Sequence, residues 1–170
     1  MHSTAHYVRW LFGPLVAVAL VACAPAPIYK AAPGAVIVTP MQVSQTPERY
    51  TSGEVIWGGR IVQVTNLSDH SEVEVLAYPL DNSQRPKAND SGNGRFIMVM
   101  PGYVEPLNYP SGSLITVSGK LNGSHAGKVG EADYVFPLVN AVQSHVWTQK
   151  EMQQGRTNIS FGVGVAGGIR

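Results

Sequence analysis

The feature that most constrains the fold is the alternation of apolar and polar residues between residues 48 and 147. Five segments have this period of two, which is typical of strands: 54–66, 71–78, 95–100, 113–121 and 134–147. In the first, Val55 and Trp57 share one face, whereas Val62 and Val64 share the other. The phase changes at Gly58-Gly59, which predicts a β-bulge or a sharp coil there.

Turn residues separate the strands and set their order. Residues 66–70 predict a hairpin loop between the first two strands. The second strand places Val73, Val75 and Ala77 on one face, with Glu72 and Glu74 on the other. Residues 122–127 predict a Gly-rich turn before the fifth strand.

These elements predict an all-β fold, a small OB-like barrel of five to six strands. A long, glycine-bent first strand can pair in both halves of such a closed sheet. A two-sheet β-sandwich is the alternative. The 18 glycines and 12 prolines also favour strands and turns over long helices. The barrel domain is predicted to span residues 48–147.

The N-terminal residues have the pattern of a signal peptide, predicted for residues 1–22. One basic residue, Arg9, precedes an uncharged apolar run from Trp10 to Ala22. This run is too short for a transmembrane helix, which needs about 20 residues. An N-terminal helix buried in the domain is an alternative interpretation.

The apolar run ends in Leu20, Val21, Ala22 and Cys23, which resemble the lipobox of bacterial lipoproteins. In such proteins the thiol takes a diacylglyceryl group in thioether linkage, and a signal peptidase cuts before the modified cysteine. Cys23 is the only cysteine, so an intrachain disulfide is impossible. Cys23 is therefore the predicted lipid attachment site, which makes membrane lipid and the lipoprotein-processing and sorting machinery its partners. An ordinary signal peptide with a chance cysteine is the alternative.

Two flanking regions complete the predicted organisation. Residues 23–47 begin at the lipidated cysteine and continue as a Pro-rich, extended tether that holds the domain off the lipid surface. Within it, the apolar residues 35–38 could dock on the domain as an edge strand. Residues 148–170 form a polar spacer and a Gly-rich tail, either an extra strand or a loose terminus.

The chain resembles the Slp family of outer-membrane lipoproteins from residue 20 to residue 147. The matching stretches are Tyr50–Ile61, Glu74–Asp81, Gly94–Phe96, Gly102–Pro106, Thr116–Gly119, Tyr134–Pro137 and His145–Trp147. The resemblance implies a lipid anchor in the outer membrane. It supplies no catalytic residues and no cofactor. Ala24, which follows the cysteine where aspartate favours inner-membrane retention, also indicates the outer membrane.

Residues that could carry chemistry have simpler interpretations. Gly162 to Gly167 match G-x-G-x-x-G, but a dinucleotide site needs a following helix and a later acidic residue. The histidines His70, His125 and His145 lack metal-ligand spacing, and surface or turn positions are expected. We interpret two carboxylate pairs as solvated rather than catalytic, namely Glu72 with Glu74 and Glu131 with Asp133.

Charge and aromatic residues limit the ligands. Loss of Arg9 with the signal peptide leaves 11 basic and 11 acidic residues, and so no net charge to attract nucleic acid. OB barrels often bind ligands on the face of strands two and three, where Glu72 and Glu74 would repel phosphate. Glycan stacking remains open for the aromatic residues, which otherwise fill the barrel: Tyr78, Tyr103, Tyr109 and Trp147.

Two classes of function follow. The first is a non-enzymatic structural or binding module of the cell envelope, with an envelope protein or peptidoglycan as its partner. The second is an envelope enzyme or a small-ligand protein for glycan or lipid, with an unrecognised site. An exposed apolar patch without a deep polar pocket would favour the first class. A concave pocket with convergent carboxylates or histidines would favour the second.

Overall fold

Five strands close into one barrel in the computed structural model, which describes residues 26–154. The strands are β1 (Glu54–Asn66), β2 (His70–Ala77), β3 (Arg95–Pro101), β4 (Leu114–Val129) and β5 (Ala132–Trp147). Two short helices are α1 (Pro40–Gln45) and α2 (Gln149–Gln153). The all-β prediction is confirmed, and closure of the sheet excludes the two-sheet sandwich. Across residues 26–154, no helix has the length and apolar character needed to cross a membrane.

The strand order around the barrel is β1-β2-β3-β5-β4, and β4 pairs with β1 to close it. Four of the five pairings are antiparallel, and β3 with β5 is parallel. This arrangement agrees with the predicted small OB-like barrel of five to six strands. The hairpin loop predicted between β1 and β2 is confirmed, because the Leu67 N–H donates to the His70 carbonyl across it (2.8 Å).

Strand β1 pairs with β4 in its first half and with β2 in its second. A Cβ atom on Gly59 would lie 1.9 Å from the Leu76 carbonyl oxygen, so only glycine fits at this position, where β1 pairs with both β2 and β4. The bulge itself lies at Val62, where the register with β2 jumps from Ile61 to Gln63. The prediction of a phase change at Gly58-Gly59 is therefore wrong in its position.

The Gly-rich turn predicted at residues 122–127 is also wrong. Those residues continue β4, whose partners in β5 include Val135 opposite Ala126. The turn is Gly130-Glu131, and Gly130 has the positive φ of 61° that a tight hairpin accepts at its first central position. The register with β5 shifts between Leu121 and Ser124, and the pairing of β4 with β5 continues on both sides of this irregularity.

Alternate residues of every strand fill the barrel interior. As predicted, Val73, Val75 and Ala77 point inwards, and Glu72 and Glu74 point outwards. The buried apolar core includes Val55, Trp57, Ile61, Phe96, Met98, Ile115, Val117, Leu121 and Val139.

Helix α1 closes one end of the barrel, although residues 23–47 are predicted to form an extended, Pro-rich tether without a helix. Pro40 occupies the first turn, where its missing N–H costs nothing, and Thr39 and Gln42 form a capping box. Val43 of this helix is fully buried in the core. The predicted absence of a helix is wrong at Pro40–Gln45, because the capping signals and this burial outweigh the density of prolines.

The residues before α1 also pack on the barrel. The Val36 N–H donates to the Glu54 carbonyl (2.8 Å), and Trp57 Nε1 donates to the Val38 carbonyl (2.7 Å). The predicted docking of residues 35–38 is confirmed, but as an irregular segment rather than as a strand. The packed part of the molecule therefore begins before residue 48.

Candidate functional site

The lipobox residues Leu20, Val21, Ala22 and Cys23 lie outside the described residues, and so do the Gly-rich tail and its G-x-G-x-x-G match. The described chain nearest to Cys23 is fastened to the barrel at Tyr29. The Gln84 side chain accepts a hydrogen bond from the Tyr29 N–H (2.8 Å) and donates one to the Tyr29 carbonyl (2.9 Å). We call this pair of hydrogen bonds the Gln84 clasp.

The backbone around Gln84 is held in an unusual conformation. Gln84 is the only non-glycine residue with positive φ in the described chain (64°). Its N–H donates to the Asp81 carbonyl (2.8 Å), and the Asp81 carboxylate accepts from the N–H groups of Ser83 and Arg85 (2.8 and 2.9 Å). This network fixes the side-chain amide that holds Tyr29.

The backbone of Gln84 is also hydrogen-bonded to a side chain on the outer face of β4. The Thr116 hydroxyl, fully buried, donates to the Gln84 carbonyl (2.6 Å) and accepts from Trp147 Nε1 (2.9 Å). The Arg85 guanidinium lies over the Trp147 ring, 5.8 Å from its centre. The segment between β2 and β3 thus covers this side of the barrel and fixes the clasp to two strands.

The three histidines do not converge. His70 begins β2, His125 lies in the hairpin part of β4, and His145 lies on the outer face of β5 with its Nε2 3.0 Å from a Glu151 oxygen. In the part of the chain that the structure describes, no three metal-ligating side chains come together.

His70 forms a small charged cluster with two carboxylates. Its Nδ1 lies 2.8 Å from Asp69 Oδ1, and its Nε2 lies 3.4 Å from Glu72 Oε1. The hydrogen bond to Asp69, followed by that to Glu72, raises the pKa of His70. The same hydrogen bond lowers the pKa of the Asp69 carboxyl. Asp69 is exposed and His70 and Glu72 are partly exposed, and ion pairing accounts for the cluster.

The two carboxylate pairs have separate structural partners. Glu74 pairs with Arg95 on the neighbouring strand and accepts from Gln63 Nε2 (3.1 Å). Asp133 pairs with Lys128 across the exposed β4–β5 hairpin (2.8 Å). Glu131 is exposed in the turn of that hairpin. Glu131 and Asp133 agree with a solvated loop, but the Glu74 side chain is only 14% exposed in its ion pair, so the interpretation as a solvated residue is wrong for Glu74.

The aromatic residues named as stacking candidates have different environments. Trp147 is only 8% exposed, beneath Arg85, and so has no free face for a sugar. The Tyr109 hydroxyl lies 3.2 Å from that of Ser144 on β5, and Tyr78 is partly buried. Tyr103 alone projects, with 72% of its surface exposed.

Tyr103 lies on one of two adjacent loops at the end of the barrel opposite α1, and both loops carry exposed apolar side chains. The β1–β2 loop contributes Leu67 (47% exposed) and the β3–β4 connection contributes Tyr103 and Leu107 (82% exposed). We call these three residues the apolar end. Exposed apolar side chains grouped in this way are typical of an interaction surface.

Hydrogen bonds hold the two loops of the apolar end together. Asn66 donates to the Val104 carbonyl (3.0 Å) and accepts from the Val104 N–H (3.1 Å). The fully buried Ser71 hydroxyl donates to the Gly102 carbonyl (2.6 Å), and the Gly102 N–H donates to the Asp69 carbonyl (3.1 Å). The patch is therefore preorganised rather than displayed on a loose loop.

A groove with a volume of about 550 Å³ lies beside α2. Its lining includes Arg60, Leu114, Trp147 and Met152, and contains no carboxylate and no histidine. The Arg60 guanidinium is occupied by the Gly112 carbonyl (2.7 Å). The groove therefore lacks the convergent acid–base groups expected of a hydrolytic site.

Sequence reasoning did not identify the Gln84 clasp or two residues of the apolar end, Leu67 and Leu107. Asp81, at the start of the turn 81–85, is a recognisable Asx-turn signal. Tyr29, the hydrogen-bond partner of Gln84 in this turn, is distant in the sequence, so no local pattern indicates their contact. Leu67 and Leu107 are single apolar residues in loops, so nothing in the sequence distinguishes them from core positions.

Comparisons with known proteins give a consistent result. The model of the outer membrane lipoprotein Slp family matches residues 20–163. The chain is 40% identical over 92 residues to an uncharacterized protein of Haemophilus influenzae. It is 29% identical over 107 residues to the uncharacterized lipoprotein YeaY of Escherichia coli. It is 26% identical over 123 residues to the outer membrane protein Slp of Escherichia coli. These alignments cover 54%, 63% and 72% of this chain, but only 50%, 55% and 65% of the respective relatives.

Proposed function

Because this chain belongs to the outer membrane lipoprotein Slp family, we propose that acyl chains on Cys23 hold it in the outer membrane, where its barrel is a non-enzymatic binding module. The outer-membrane location is that of the family. The proposal has two parts, the chemistry of the anchor and the surface that meets a partner.

The anchor is supported by the position of the only cysteine. Cys23 follows an apolar run and the small residue Ala22, as lipoprotein signal peptidase requires. One acyl chain gives marginal membrane binding, whereas several chains on one residue make release negligible. The described chain near the anchor, at Tyr29, is already attached to the barrel.

Metabolic labelling of the precursor with a clickable palmitate tests the anchor. We expect label in the outer-membrane fraction of the wild type and none in Cys23→Ala. The Ala24→Asp variant is a matched control, because it keeps the thiol and should keep the label while shifting protein to the inner membrane. Wild-type protein without label, or label that persists in Cys23→Ala, would contradict the anchor.

The non-enzymatic role is supported by the partners of the titratable residues. His70 and Glu74 are committed to ion pairs with neighbouring strand or loop residues, and His145 to Glu151. These groups lie on separate outer positions of the barrel, and its interior is filled by apolar side chains. General acid–base catalysis needs two or more such groups around one cavity.

The apolar end is the observation that supports a binding role most strongly. Leu67, Tyr103 and Leu107 are exposed on loops that four hydrogen bonds fix in place. The exposed acidic residues Asp69 and Glu105 flank them. An acidic rim is repelled by anionic lipid, so the partner we propose is an envelope protein with an apolar recess and basic residues around it.

Site-specific photo-crosslinking in cells tests this surface. A photoreactive amino acid at Leu107 should give one discrete protein adduct, and Tyr103→Ser in the same chain should weaken it several-fold. The exposed residue Gln143 on β5 is the control position, where no such adduct is expected. Equal adducts at both positions, or none at Leu107, would contradict a protein partner at the apolar end.

A further inference from the structure

We propose that the barrel lies against the bilayer on its Gln84 side, because the clasp shortens the tether to the lipid anchor. This inference rests on the proposed acylation of Cys23 and adds an orientation to it. The partner is a lipid surface that contains anionic headgroups, and the contacting residues surround Tyr29.

The chain between the anchor at Cys23 and the clasp is shorter than the domain is wide. Tyr29 follows Cys23 by six residues, and even fully extended this length reaches about 20 Å. A domain the size of residues 26–154 is about 35 Å across. The tether is shorter than the domain, so the clasp side must stay near the lipid.

Without the clasp, the next attachment along the chain is Val36, which bonds to Glu54. The chain from Cys23 to Val36 reaches about 45 Å when extended, more than the width of the domain. A tether of that length would let the barrel turn any face towards the bilayer. Gln84 is therefore a positioning residue, which acts through the backbone of Tyr29.

The residues on either side of the clasp suit a lipid surface. Because Tyr29 is bonded through its backbone, its neighbours Ile28 (39% exposed) and Lys30 (exposed) project towards solvent. The exposed Lys87 lies in the same covering segment, where the exposed Asp90 offsets its charge, so the positive charge beside the clasp comes from Lys30. The carboxylate of Asp81 in this segment is occupied by backbone N–H groups, which reduces its repulsion of headgroups.

The opposite side of the barrel has a different charge. Thr116, which holds Gln84, lies on β4, and β2 and β3 are the two strands farthest from β4 around the ring. Their outer face carries Glu72 and Glu74, and only Glu74 is paired with an arginine. The acidic side therefore faces away from anionic lipid in the proposed orientation.

Depth-dependent quenching in vesicles tests the orientation. The acylated full chain is placed in vesicles of phosphatidylethanolamine and phosphatidylglycerol that carry spin-labelled lipid. Since the Cys23 thiol is consumed by the thioether, one introduced cysteine takes a fluorophore without competition. Asn82→Cys marks the clasp side, and Glu72→Cys marks the opposite side. We expect several-fold stronger quenching at residue 82 than at residue 72.

The matched variant is Gln84→Asn. Asparagine tolerates positive φ and keeps the amide, but its side chain is one methylene too short to reach Tyr29. The quenching ratio between residues 82 and 72 should fall towards one in this variant. Gln84→Gly, which also accepts positive φ, is a second variant, and an unchanged circular dichroism spectrum shows that either one is folded.

Each result has a distinct meaning. Equal quenching at residues 82 and 72 of the wild type would overturn the proposed orientation. A wild-type ratio that persists in both Gln84 variants would overturn the role of the clasp. Flotation with the vesicles tests the anchor separately. Protein that does not float refutes acylation of Cys23. Protein that floats but shows equal quenching at residues 82 and 72 refutes the orientation alone.

Discussion

The two ends of the barrel differ in the exposure of their apolar side chains. At one end, α1 inserts Val43 into the core, where it is fully buried. At the other end, Tyr103 and Leu107 remain more than two-thirds exposed. The difference arises because the N-terminal segment covers only the first end, while hydrogen bonds from the Asn66 side chain fix the loops of the second.

From this contrast we expect the closed end to contribute to stability and the apolar end to partner binding. Burial of a side chain lowers the free energy of the folded state, whereas a fixed but exposed apolar side chain contributes little until a partner covers it. The closed end should therefore respond to truncation by unfolding, and the apolar end by loss of binding. Each of the following measurements tests this contrast, in descending order of expected effect.

Val43→Ala should lower the free energy of unfolding by about 2 kcal/mol, because it removes buried methyl groups and leaves a cavity. Urea unfolding in a soluble Cys23→Ala background measures the change. Met41→Ala in the same helix is the control, since Met41 is 44% exposed and should cost less than about 0.5 kcal/mol. Equal costs for the two variants would mean that α1 does not close the barrel.

Asn66→Ala should lower the free energy of unfolding by about 1 kcal/mol, through loss of its two hydrogen bonds to Val104. Amide hydrogen exchange at Val104 should become faster at the same time. The neighbouring exposed residue Thr65, changed to alanine, is the control for removal of a side chain from this strand. Unchanged exchange at Val104 would show that the apolar end is not fixed by Asn66.

The cluster at His70 predicts a pH dependence at the same end. Because the pKa of His70 is raised in the folded state, its stabilising contribution is complete below the ordinary histidine pKa and disappears as pH rises through the raised pKa. Asp69→Asn with Glu72→Gln should move the NMR titration midpoint of His70 to lower pH. A midpoint that does not move would refute the ion pairs.

Leu107→Ser should change the free energy of unfolding least, by less than about 0.5 kcal/mol, because Leu107 is already exposed. The same variant should weaken the adduct formed by a photoreactive residue at Tyr103. A large loss of stability in Leu107→Ser would make the apolar end part of the core and remove the contrast between the two ends.

The period-two pattern predicts the strands well, because the residues of a strand that point into the barrel must be apolar. The alternation at Val73, Val75 and Ala77 predicts the inner face correctly, and the outward positions of Glu72 and Glu74 follow from it. The OB-like barrel follows from the length of β1, which has to pair on both sides. In these regions the local pattern and the tertiary environment agree.

The errors occur where local signals and tertiary contacts disagree. Residues 122–127 have the composition of a turn, yet their pairing with β5 keeps them extended. Pro40 suggests an extended chain, although it stands at the helix position that tolerates proline. The Gln84 clasp joins residues far apart in sequence, so no pattern of neighbouring residues encodes it.

The closure of the barrel also has a consequence for the rate of folding. The hairpins β1–β2 and β4–β5 form between neighbouring strands, but Glu54 pairs with Lys120 and Ile97 pairs with Leu138. Loops of this length must close before those pairings add stability, and proteins with many such contacts fold in about milliseconds to seconds. The barrel can therefore close only once its last strand, β5, is present to pair with both β3 and β4.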